Sequence, residues 1–115
     1  MSVMRIFMLG LLAIPFAGIA GTQQEIDHLL AYVSATDCLY ERNGKQYSGV
    51  KARDHIVKKY EYFSDKIESA EDFIQYSATK STMSGKHYTI HCEGDEAIRS
   101  KDWLLAELKR YRAVE

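Results

Sequence analysis

The sequence predicts an α+β protein. A small three-stranded antiparallel sheet, a β-hairpin plus one strand, is packed by about four helices in the order α-β-β-α-α-β-α and held by one disulfide. Three observations carry this expectation. Apolar residues recur at i, i+3, i+4 in several separate segments, Asn43-Gly44 sits between two short β-prone runs, and Tyr88, Ile90 and Cys92 alternate with polar neighbours. The first is the mark of an amphipathic helix, the second a hairpin signal, and the third a half-buried strand.

The chain has 115 residues, with 15 Lys and Arg against 16 Asp and Glu. This length fits one small domain, and the balanced charge gives no basic footprint for nucleic acid. Residues 1–20 read as a secretory signal peptide and 21–115 as a single α+β domain. Met1 to Arg5 carry one positive charge, Ile6 to Ala20 are uncharged and largely apolar, and Gly18-Ile19-Ala20 puts small residues before a cut at Gly21. The apolar run is shorter than the ~20 residues of a spanning helix. No membrane association is therefore expected once the leader is removed, and no cysteine follows the run to carry a lipid.

Export gives Cys38 and Cys92 a meaning. They are the only two cysteines, an oxidising compartment favours their pairing, and their wide spacing is unlike the C-x-x-C of redox motifs. A structural disulfide is expected.

Taken in order, Thr22-Gln-Gln-Glu25 fits a capping box. Ile26, Leu29, Leu30 and Val33 follow as a helical stripe, placing a first helix at about 23–35. His28 falls off that stripe and is expected in solvent. Cys38 to Arg42 and Lys45 to Tyr47 are the hairpin strands. Ser48 caps a second helix over about 49–67, with Val50, Val57, Tyr60, Phe63 and Ile67 on one face and Lys51, Arg53, Asp54, Lys58 and Lys59 on a solvated one. Ser69 opens a third helix with Ala70, Phe73, Ile74 and Ala78 inward. His87 to Cys92 is the third strand, and an acidic turn follows at Glu93–Glu96. Ser100 caps a last helix with Leu104, Leu105, Leu108 and Tyr111 as its stripe. If Cys38 and Cys92 are bonded across the sheet, the first and third strands are antiparallel neighbours in the order 2-1-3. Tyr40, Tyr88 and Ile90 then share the face that meets the helices.

Several of these segments together, Glu25-Ile-Asp-His-Leu-Leu30, Cys38 with Arg42-Asn-Gly44, Ser81-Thr-Met-Ser-Gly-Lys86 with Tyr88-x-Ile90-x-Cys92, Asp102-Trp-Leu104 and Glu107 to Arg112, resemble a family of small exported bacterial proteins of unassigned function. The resemblance covers nearly all of the chain after the leader. It implies a Gram-negative periplasmic setting and one compact domain, and it brings no activity, substrate or catalytic residue.

The polar chemistry left over gathers at Ser81, Ser84, Gly85, Lys86 and His87, the candidate ligand-binding residues. A phosphate loop fails here because Lys80 stands where its first glycine belongs and His87 follows the lysine. An S-x-x-K pair fails because Met83 precedes Lys86 by three. What remains is an anion or peptide carboxylate held by backbone amides and Lys86, against a plain turn. His87 and His91 lie about 13 Å apart along a strand, too far to share a metal, so neither a metal nor a cofactor is expected. Tyr62 and Tyr76 are the aromatics expected at the surface. The functional expectation is a non-catalytic periplasmic binding domain for a protein, peptide or envelope component. The alternative is a small enzyme or anion-binding protein acting through Ser84-Gly85-Lys86-His87.

Overall fold

The computed structural model of the chain describes residues 21–114. The expected leader, residues 1–20, lies outside the described residues. The element order is α1 (Thr22–Ala35), β1 (Leu39–Arg42), β2 (Lys45–Tyr47), α2 (Gly49–Tyr62), a 3-10 turn at Ser64–Lys66, α3 (Ala70–Ser77), β3 (Thr89–His91), β4 (Ile98–Arg99) and α4 (Ser100–Val114).

The sheet is antiparallel with strand order β2-β1-β3-β4. The expected 2-1-3 arrangement is present, with Tyr40 opposite Tyr47 on one side and Ile90 on the other. The expected three strands become four. Ile98 and Arg99 pair with Ile90 and Thr89, and both are exposed. A two-residue edge strand with no buried side chain has no periodicity to read, so its partner alone makes it a strand. Asn43 (φ 52°) and Gly44 (φ 82°) both occupy the left-handed region, as a two-residue hairpin turn of this hand requires. Cys38 and Cys92 are bonded one step beyond the Leu39–His91 pair.

The inner face of the sheet carries Tyr40 and Ile90, with Tyr88 beside them, all almost fully buried. The helices cover it with Ile26, Leu29, Val33, Ile56, Phe73, Ile74, Leu104 and Leu108. Each large apolar side chain of this kind contributes about 1.5–3 kcal/mol by leaving water. The opposite face is polar, with His91 Nε2 3.0 Å from Glu41 Oε1. Among the described residues no helix is long and apolar enough to cross a membrane.

Local chemistry shifts several expected details. At α1 the cap is Gly21, whose amide donates to Gln24 Oε1 at 3.2 Å. Glu25, expected to complete a capping box with Thr22, instead turns inward to Arg112. Ser48 caps α2 as expected, accepting from the Lys51 amide at 3.2 Å. The inward face of α2 is Gly49, Ala52 and Ile56, whereas Val50 is 54 % exposed. Gly49 explains the rotation. It lies against the Val33 carbonyl of α1, where any Cβ would clash, so α2 turns its one side-chain-free position toward that crossing. α2 stops at Tyr62 rather than running to 67. Phe63 (φ −99°, ψ 14°) leaves helical geometry, and the Ser64–Lys66 segment tightens into a 3-10 turn. α3 is capped reciprocally, Ser69 Oγ accepting from the Asp72 amide and Asp72 Oδ2 from the Glu68 amide, both at 3.0 Å.

His28, expected in solvent, is held between helices. Its Nε2 lies 2.6 Å from Glu107 Oε2, and its ring stacks on Tyr111 with centroids 3.9 Å apart. Ser100 does not cap α4 but begins it, directly after β4. Its hydroxyl meets the buried Tyr40 hydroxyl at 2.8 Å. Tyr62 and Tyr76 are exposed as expected, flanking Phe63.

Candidate functional site

A cleft of about 280 Å³ opens between the β1–β2 hairpin and α2. Its hairpin wall is Arg42 and Tyr47, which share the inner face with Tyr40 because Tyr40 is paired with Tyr47 and side chains alternate along a strand. Its helix wall is Lys51, His55 and Lys58, spaced i, i+4, i+7 on one face of α2. Tyr40 and Tyr88, both nearly buried, close its inner end.

The hydroxyl of Tyr88 is the hub of the inner end. It lies 3.2 Å from His55 Nε2 and 3.2 Å from Lys59 Nζ. Lys59 also donates to the Lys80 carbonyl at 2.7 Å, and its ammonium sits 5.1 Å from the Tyr88 ring centroid. One direction among these contacts is fixed. An ammonium only donates, so Tyr88 Oη accepts from Lys59. A hydroxyl holds one proton and two lone pairs, so its contact with His55 Nε2 runs in the direction that the His55 tautomer sets. Opposite it, the Arg42 guanidinium lies 5.0 Å over the Tyr47 ring and donates to the Tyr47 hydroxyl at 3.4 Å.

The electrostatics keep the His55 ring neutral at neutral pH. Burial, then the positive charges of Arg42, Lys59 and Lys58, holds the His55 pKa down to about 4. Burial and Arg42 lower Lys59 as well. Burial raises the Tyr88 phenol, with Arg42 acting the other way. Among the described residues, Arg42, Lys51, Lys58 and Lys59 have no carboxylate within ion-pair distance. The one carboxylate lining the cleft, Asp54, is paired with Arg53 at 3.4 Å. The arrangement is rich in donors and poor in acceptors. It can hold an anionic group against tyrosine walls.

A model for a family of unknown function, DUF5329, matches residues 20–112. The chain belongs to that family. No curated protein and no solved structure matches it. The resemblance drawn from the sequence thus meets a family without an assigned activity.

In this DUF5329 chain the residues nominated from the sequence come together, but at a different place from the cleft. Ser81 is buried, and its hydroxyl accepts from Asn43 Nδ2 and from the Ser84 amide, both at 3.3 Å. Ser84 Oγ donates to Asn43 Oδ1 at 2.6 Å and accepts from the Lys86 amide at 3.1 Å. The Gly85 amide donates to the Ser81 carbonyl at 3.0 Å, and the Ser81 amide to the Lys86 carbonyl at 2.9 Å. The amides that would form an anion nest are engaged within the turn. Lys86 is exposed, and the Nδ1 of His87 is buried with no hydrogen-bond partner among the described residues. His91 is bonded to Thr89 and Glu41 on the outer sheet face. Among the described residues no three His, Cys, Asp or Glu side chains converge as a metal site would need.

Arg42, Tyr47, His55, Lys59 and Tyr88 had no place in the sequence-derived site. One signal for them was there. Lys51, His55 and Lys58 recur at helical spacing, so the charges of the second helix form a basic stripe within what looks like a mixed solvated face.

Proposed function

We propose that this DUF5329 chain is an exported, non-catalytic binding domain of the periplasm, with the cleft between the hairpin and α2 as its ligand site. The observation that carries the reading is the set of cations without a carboxylate partner, Arg42, Lys51 and Lys58, which line one tyrosine-walled cleft together with His55. The leader-like residues 1–20 and the Cys38–Cys92 bond support export. A protein, peptide or envelope component bearing an anionic group is the partner.

A second reading, a small enzyme or anion-binding protein acting through Ser84-Gly85-Lys86-His87, is favoured by the unpartnered buried Nδ1 of His87. One experiment separates the two. Isotopically labelled, oxidised protein is titrated with fractionated envelope extract while amide and histidine signals are followed. Shifts gathered on Arg42, His55 and Tyr88 support the cleft, and shifts confined to Ser84–His87 support the loop. Cell fractionation that finds the chain in the cytoplasm with residues 1–20 attached overturns the export.

A further inference from the structure

The cleft discriminates among anions. We infer that it takes a phosphate monoester carried on a small planar or apolar body, the phosphate meeting Arg42, Lys51 and His55 and the body lying against Tyr47 and Tyr88. This rests on the reading of the cleft as the ligand site.

Charge count comes first. Lys51, Lys58 and Arg42 line the cleft, Lys59 stands behind Tyr88, and the one lining carboxylate is already paired with Arg53. A carboxylate carries a single charge, and one guanidinium would satisfy it. A phosphate monoester carries nearly two at neutral pH and offers three terminal oxygens, which suits several separate donors. Donor type comes next. Arg42 is braced over the Tyr47 ring at 5.0 Å, which holds a planar fork ready for bidentate contact with phosphate oxygens. His55 is neutral, and its Nε2 meets Tyr88 Oη at 3.2 Å. An oxyanion in the cleft selects the tautomer with the proton on Nδ1, whose Nε2 lone pair then accepts from Tyr88.

Size sets the last limit. A cleft of about 280 Å³ lies near the lower end of small-molecule sites, which run from roughly 300 to 1,000 Å³. It is too large for a bare phosphate and too small for a dinucleotide. Tyr40, Tyr47, Tyr88, Ala52 and Ile56 supply apolar surface for the remainder of the ligand. Such a group could arrive on a soluble metabolite or on a lipid headgroup, and the chemistry recognised is the same.

The test uses the oxidised protein and four probes: phenyl phosphate, inorganic phosphate, benzoate, and phosphatidylcholine vesicles with and without phosphatidic acid. Calorimetry should rank phenyl phosphate at least about tenfold above both inorganic phosphate and benzoate, since each lacks either the apolar body or the second charge. Arg42→Gln and Lys51→Gln should each weaken phenyl phosphate by roughly tenfold or more, the scale of one charge-assisted hydrogen bond, while Lys109→Gln on α4 should leave it unchanged. Binding should move the His55 ring signals. Sedimentation with phosphatidic acid vesicles, reversed by phenyl phosphate, assigns the lipid as the source, and its absence beside phenyl phosphate binding assigns a soluble one. Benzoate binding in the cleft as tightly as phenyl phosphate overturns the phosphate assignment and leaves the cleft reading standing. Failure of every probe to shift Arg42, His55 or Tyr88 overturns both. Thermal melts of each variant, matched to the parent, show that a lost affinity is not a lost fold.

Discussion

Arg112 grips Glu25 with two hydrogen bonds, Nε to Oε2 at 2.8 Å and Nη2 to Oε1 at 2.9 Å, across 87 residues of sequence. The same guanidinium reaches Glu71 at 2.7 and 3.1 Å. One side chain near the end of α4 thereby ties α1 and α3 to it. Glu25 is buried and Arg112 is 41 % exposed. Arg112→Met leaves a buried carboxylate unpaired, which in a dry site costs about 3–5 kcal/mol. Solvent around Arg112 reduces that, and the expected loss is about 2 kcal/mol. Glu71→Gln, at the exposed arm, should cost about 0.5 kcal/mol or less. Urea midpoints for the two variants check this, and equal losses would show that Glu25 is not the anchor.

Glu107 makes the second clamp and should give the fold an acid limit. It accepts from Arg110 at 2.8 and 2.7 Å and meets His28 at 2.6 Å. Hydrogen bonds from Arg110 hold its carboxyl below the usual range; burial opposes this, and His28 adds to the lowering. A carboxyl depressed in the folded state stabilises it fully above its unfolded value, about pH 4.3. That stabilisation drains away as pH falls through the folded value. Stability measured from pH 6 down to pH 2 should therefore drop below about pH 4.3, and Glu107→Gln should flatten the drop while lowering stability at neutral pH. An unchanged slope would remove Glu107 from the acid response.

Reduction should weaken the fold at all pH values. Cys38 and Cys92 are separated by 54 positions, and a loop of that length stabilises by ~4 kcal/mol in the chain-entropy description. The Cys38→Ser, Cys92→Ser double variant should unfold at markedly lower urea, and alkylation of the native protein should find no free thiol. A double variant with the parent's midpoint would show that the core alone holds the sheet ends together.

The parts legible in the sequence are those with local causes. Ser48 and Ser69 cap the helices they were expected to cap, Asn43-Gly44 turns the hairpin, and the Cys38–Cys92 pair fixes the 2-1-3 strand order. What stayed hidden depends on distant partners. Ile98-Arg99 becomes a strand through β3, and His28 finds Glu107 79 residues away. The cleft gathers Arg42, His55, Lys59 and Tyr88 from the hairpin, α2 and the segment before β3, and no short window contains them. Ser84 and Lys86 drew notice because they stand together in sequence, although their polar groups largely serve the turn itself.

That turn depends on a side chain from the hairpin. Asn43 binds Ser84 at 2.6 Å and Ser81 at 3.3 Å. Asn43→Gly keeps the positive φ while deleting both contacts, so backbone strain does not confuse the result. A loss of about 1 kcal/mol is expected, with faster hydrogen exchange at Ser84, Gly85 and Lys86. Exchange that stays as slow as in the parent would mean that the turn stands without the hairpin.

The His55 imidazole offers the most direct reading of the cleft's field. Its pKa, near 4, is set first by burial and then by Arg42, Lys59 and Lys58, against about 6.5 for a free histidine. Between those two values the unfolded chain binds the proton and the folded chain does not. His55 therefore stabilises the fold fully above about pH 6.5, and that contribution declines as pH falls toward the folded value. Histidine signals followed by NMR from pH 8 to pH 3 should show the His55 ring titrating well below the 6.5 of a free histidine. Arg42→Gln removes a cation without touching the Tyr88 contact, so the midpoint should move upward. Tyr88→Phe deletes the hydroxyl that accepts from Lys59 and meets His55 Nε2, and should change the ring nitrogen shifts at neutral pH. A His55 midpoint near 6.5 in the parent, or one indifferent to Arg42→Gln, would contradict the field described for this cleft.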